Sequence, residues 1–143
     1  MDLAILAAAR FPISEPFAGG MEAHTHALAE GLTARGHRVT VLAAGGVGRF
    51  EVRPMVPVDF APSGPARRDV AAQPSDVVAE HHSYLEAIVH LASAEHQLVH
   101  LNAVHHLPFA CTGLLRSKVS ATLHSPPTPW LESALCVASA TGP

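Results

Sequence analysis

The chain has 143 residues, 48% of them apolar but only 5% aromatic, and a formal net charge of −3 at pH 7. That length holds one compact domain with one core, and an apolar content supplied by Ala, Val and Leu suits an α/β layer fold. With no basic run, no apolar stretch of about eighteen residues and no basic start or cleavage site after Met1-Asp2, nucleic acid and a transmembrane segment are excluded, and a cytoplasmic protein is expected.

Leu3 to Ala9 is a continuous apolar run, the pattern of a central strand covered on both faces. Arg10 to Gly20 holds Pro12 and Pro16 and cannot be regular; its closing pair, Gly19-Gly20, either lets backbone amides approach a ligand or makes a plain turn. From Met21 the pattern turns helical, with Met21, Thr25, Leu28 and Leu32 on one stripe and Glu22, Glu30 and Arg35 turned elsewhere. Gly36 suits the left-handed residue that closes a helix, and Arg38 to Leu42 follows as a β-branched strand. Such a βαβ unit crosses over right-handed, so the loop after its first strand opens at the carboxyl edge, where open α/β sheets bind ligands. A phosphate at Gly19-Gly20 would meet the unpaired N–H groups and positive dipole end of the helix, although the spacing matches neither a three-glycine dinucleotide fingerprint nor a P-loop.

Ala43 to Gly48 reads as a small-residue loop and Phe50 to Arg53 as a short edge strand interrupted by Pro54 and Pro57. Phe60 to Ser75, rich in Pro, Ser, Gly and Ala, predicts an irregular surface excursion. Ser75-Asp76 can cap a helix running to about His96, followed by a strand over Leu98 to Asn102. Leu107 to Leu115 predicts a buried helix with Pro108 in its first turn, and Lys118 to Leu123 the next strand. After the loop His124 to Thr128, a helix begins at Pro129 and runs to Ala140 before Gly142-Pro143; Cys136 to Ala138 as a short strand is the alternative, less favoured by its Ala and Leu content. The order β-α-β-β-α-β-α-β-α predicts one Rossmann-like domain over residues 1–143, a parallel sheet of order 3-2-1-4-5 with helices on both faces.

Eleven histidines invite a metal, but none forms HExxH, and the neighbours His81-His82 and His105-His106, like His24 and His26, are expected to diverge; no metal is expected. Cys111 and Cys136 form no CxxC pair and read as free thiols. His124 stands apart because it follows a strand and so shares the carboxyl edge with Gly19-Gly20, where its plain alternative is to tie down a proline-rich loop. Glu22 in a first turn favours the helix dipole whatever binds there, and packing is the first role of Trp130.

Gly19-Gly20-Met21-Glu22, then His26 to Leu32 and Arg35-Gly36-His37-Arg38-Val39-Thr40-Val41-Leu42, resemble the opening of the GT4 family of retaining glycosyltransferases. Leu98 to Asn102, His105-His106-Leu107-Pro108 and Thr122-Leu123-His124-Ser125-Pro126-Pro127 resemble later parts of the same amino-terminal half of a GT-B fold. The resemblance implies transfer of a sugar, with retention, from a nucleotide-diphosphate donor to an acceptor, without metal or other cofactor. It places the donor phosphates at Gly19 and Gly20, gives His124 the catalytic place beside the donor sugar, and leaves Glu22, Asn102, His105 and Thr128 as candidate acceptor or sugar contacts. It also implies a carboxyl-terminal, donor-binding domain as partner; that half is not in this sequence, so the chain alone is expected to be inactive. The alternative is a truncated or excised, non-catalytic domain that binds a sugar or phosphate, or self-associates through the bare interdomain face.

Overall fold

The computed structural model describes residues 1–56 and 61–141. Five strands form a single parallel sheet of order β3-β2-β1-β4-β5: β1 Asp2–Leu6, β2 Arg38–Ala43, β3 Glu51–Pro54, β4 Leu98–Leu101 and β5 Lys118–Ala121. The apolar run does place β1 at the centre, although the strand stops at Leu6; Ala7 and Ala8 stay buried while the chain turns away. Pro54 closes β3 as its last residue, which an edge strand permits because proline lacks only the donor. The expectations resting on Pro57, Phe60 and Gly142-Pro143 lie outside the described residues.

The helices are α1 Gly20–Ala34, α2 Gly64–Arg67, α3 Ser75–Ser93, α4 His106–Ala110 and α5 Pro129–Thr141. One sheet face packs Ala4, Leu6, Leu42, Val99 and Leu101 against Tyr84, Ala87 and Leu91 of α3, Phe109 of α4, and Leu131 and Ala134 of α5. The other packs Leu3, Ile5, Ala7, Val39 and Val41 against Ala29, Leu28 and Leu32 of α1, with Ile13 and Phe50 closing its end. Gly36 closes α1 at φ 84°, a backbone that glycine adopts without the strain a Cβ brings. No helix among the described residues is long and apolar enough to cross a membrane.

Four local readings change. The buried face of α1 is Glu22, Thr25 and Ala29, so Glu22 lies inside rather than turned out: the first turn sits over the strand ends, and the stripe shifts by one residue. The excursion before Ser75 contains the single-turn helix α2, capped by the Ser63 hydroxyl, which accepts from the Ala66 amide. Helix α3 starts at Ser75 after Pro74 with no side-chain cap, and stops at Ser93. The helix expected over Leu107 to Leu115 divides into α4 and a 3-10 turn at Thr112–Leu114.

Candidate functional site

The loop carrying Gly19-Gly20 is pinned at three points. Ile13, fully buried, donates its amide to the Gly45 carbonyl at 2.8 Å and accepts from the Val47 amide at 3.3 Å. Gly46 is required there, because a Cβ would come within 2.8 Å of the Ile13 carbonyl oxygen. Arg10 pairs with Glu80 of α3, and Phe17 packs at 5.3 Å on His26 of α1. Gly19, the residue before α1, has an extended backbone and no side chain to cap the helix, so the first-turn amides lack a capping bond. A Cβ on Gly19 would stand 3.2 Å from the Glu22 carboxylate, whereas one on Gly20 meets nothing within 4 Å.

Beside this loop, β1, β4 and β5 end together. Asn102, the first residue past β4, continues the ladder with its amide to the Leu6 carbonyl at 2.8 Å, and the Thr122 amide does the same to Leu101 at 3.0 Å. Opposite pairing of His100 with Ser120 brings Asn102 level with Thr122 and within reach of His124.

Asn102 is fully buried, and its bonds fix one another's direction. The Thr25 hydroxyl donates to the Met21 carbonyl at 2.7 Å, so toward Asn102 its oxygen can only accept. Asn102 therefore presents its amide nitrogen to Thr25, at 2.6 Å, and its oxygen to His124 Nε2, at 2.5 Å. Nε2 must carry the proton that Asn102 Oδ1 accepts, and in the neutral ring Nδ1 is left as an acceptor. The His24 ring stands edge-on to His124 at 5.2 Å and 70°, and its Nδ1 lies 3.4 Å from the Asn102 amide nitrogen. Further down the same sheet face, His100 bridges the Ser120 hydroxyl at 2.9 Å and the Thr122 hydroxyl at 3.1 Å.

Burial holds the imidazoles of His124, His100, His106 and His90 below their ordinary value, and pushes His105 down to about 4 with the neighbouring His106 and His81 adding to it. For His124 the nearby Glu22 carboxylate acts the other way. A folded-state value below the unfolded one means that the unfolded chain takes up more protons once the pH drops through 6.5. The stability these rings contribute is complete above that pH and is lost on the way down to about 4 for His105. Urea midpoints are expected to hold above pH 7 and fall steadily below about 6.5. His105→Phe, which keeps a ring and removes a proton site, flattens that fall.

Of the residues singled out in the sequence, Gly19, Gly20, Glu22, Asn102 and His124 share this rim. His105 and Thr128 serve the backbone: His105 Nδ1 accepts from the Leu107 amide at 3.2 Å at the start of α4, and the Thr128 hydroxyl accepts from the Leu131 amide at 3.2 Å at the start of α5. Their bonds are those of helix caps. His105 and His106 do not diverge but stack at 4.5 Å, and His81 joins them at 5.7 Å from His105 and 6.2 Å from His106. Among the described residues no three His, Cys, Asp or Glu side chains could hold a metal ion. Thr25 and His24 enter the site unannounced, and Thr25 had a signal in being the one hydroxyl on an otherwise apolar stripe.

The sequence model of Glycosyltransferase Family 4 matches residues 18–137. That span begins just before Gly19-Gly20 and runs past His124 to α5. No curated protein matches the chain.

Proposed function

Because the chain belongs to glycosyltransferase family 4, we propose that it is the amino-terminal, acceptor-side half of a two-domain enzyme that moves a sugar, with retention, from a nucleotide-diphosphate donor to an acceptor. One observation carries this reading: the open first turn of α1 at Gly20 and the imidazole of His124 meet on one rim, joined through Thr25 and Asn102. The diphosphate lies against the Gly20 end, where unpaired amides and the helix dipole favour an anion. The sugar lies against His124, whose Nδ1 accepts from one of its hydroxyls. The nucleotide base and the remaining phosphate charge fall to the carboxyl-terminal domain. No metal takes part in this scheme, and this half alone does not turn over, since one wall of the site supplies only part of the positioning and electrostatics.

The test is donor hydrolysis and transfer by the two-domain enzyme and by this chain. Gly20→Val places a branched side chain in open space, so the unfolding midpoint is expected to hold while the donor KM rises at least about tenfold. An unchanged KM removes the phosphate from that loop, and a two-domain enzyme with neither activity removes the reaction. One observation favours the second reading, a non-catalytic domain that binds a sugar or phosphate weakly or self-associates: edge strand β5 leaves Val119 37% and the following Leu123 54% exposed. Sedimentation as a self-associated species, with no turnover in either form, would select it.

A further inference from the structure

The same rim carries a set of rings that donor binding does not use. Tyr84, His105, His106 and Trp130 stack without a break, with centroids 4.5, 4.5 and 5.0 Å apart and interplanar angles of 27°, 19° and 28°. His81 closes the side, edge-on to His105 at 69°. The inner end is anchored: Tyr84 is buried, and its hydroxyl donates to the Ala7 carbonyl and accepts from the Ala9 amide, both at 3.3 Å. The outer end is open. Trp130 is 70% exposed, so packing, its expected role, accounts only for the stack on His106, and the α5 residues that enter the core are Leu131 and Ala134. His106 follows Asn102 by four positions and Trp130 follows His124 by six. The two loops that join through the Asn102 to His124 bond thus join again through the His106 to Trp130 stack.

Resting on the transferase reading, we propose that Trp130 and the rings behind it form the acceptor subsite, and that the acceptor presents a pyranose ring to the open indole face. A pyranose has a patch of C–H bonds on one face and hydroxyls around its rim. The C–H patch suits the electron-rich face of an indole, while the rim hydroxyls stay hydrated, because the histidines of the stack lie behind the ring.

Trp130 is the sole tryptophan, so its emission reports on this place alone. Titration of the chain with methyl hexopyranosides and short oligosaccharides, at concentrations on the order of tens of millimolar, is expected to change that emission saturably. The sugar C–H proton resonances should move upfield by ring current. Trp130→Ala abolishes the upfield shifts and weakens sugar binding about tenfold without altering the far-ultraviolet circular dichroism, while Trp130→Phe retains part of the binding. The subsite is overturned if no sugar changes the emission, if uridine or adenosine does so and sugars do not, or if Trp130→Ala binds sugar as tightly as the parent. Pyrophosphate, followed by its 31P line width in the same samples, keeps the donor reading separate: pyrophosphate bound at the Gly20 loop with sugars unbound removes the acceptor subsite alone.

Discussion

In the proposed two-domain transferase, His124→Ala is expected to lower kcat for sugar transfer about a hundredfold and to leave the fold intact. The side chain is only half-buried, and it stands in a loop beyond β5, so its removal opens no cavity in either core. The imidazole is held by one short bond to Asn102, with burial and His24 keeping it neutral near pH 7. Its free Nδ1 then offers a fixed acceptor to a sugar hydroxyl. A sugar without that partner can rotate against the diphosphate, and a displacement of about an ångström at the reacting carbon accounts for a loss of this size. On the proposed arrangement, with the diphosphate against Gly20 and not His124, the cost should fall mainly on kcat. His124→Gln, which can present an amide oxygen where Nδ1 stood, should recover part of the rate. Steady-state kinetics decide it: a kcat within about threefold of the parent takes His124 out of the reaction.

The sheet was legible because its signals are local. Leu3 to Ala9 reads as a buried strand from its unbroken apolar run, although β1 itself stops at Leu6, Gly36 marks the end of α1 by its conformation, and the β-branched run from Arg38 fixes β2. The strand order then follows from crossover handedness. What failed depends on contacts between distant segments. Glu22 is drawn inside because α1 starts over the ends of the strands, a tilt that no helical wheel contains. The stack from Tyr84 to Trp130 joins α3, α4 and α5, and adjacent histidines such as His105 and His106 can lie parallel only because the turn into α4 folds one ring onto the next. His124 could be placed at the rim from its position after a strand. Its tautomer could not, because that depends on a hydroxyl nearly a hundred positions earlier that is already committed to the Met21 carbonyl.

Asn102→Asp tests that chain of bonds most directly. The new carboxylate can only accept, so the contact with Thr25 Oγ1 turns from a bond into opposed lone pairs unless the hydroxyl leaves Met21. Placing a charge at a fully buried position compounds the loss, and a stability cost of about 2 to 4 kcal/mol is expected from urea unfolding. Toward His124 the effect is opposite in sign. A carboxylate facing Nε2 stabilises the imidazolium, so the His124 value should rise by at least about one unit from its depressed position. Wherever the ring is charged, Nδ1 is a donor, the wrong partner for a donating sugar hydroxyl, so transfer falls on the acid side of the new value. Raising the pH through the new value deprotonates the ring and should restore part of the rate, while the parent changes little over the same range. The ion pair contributes stability only while the ring is charged, so that part of the folding free energy is lost as the pH rises. Following the His124 ring protons by NMR in parent and variant reads the shift without activity: a titration that does not move upward means that Asn102 does not hold His124 in solution, and the rim loses the link that joins its two halves.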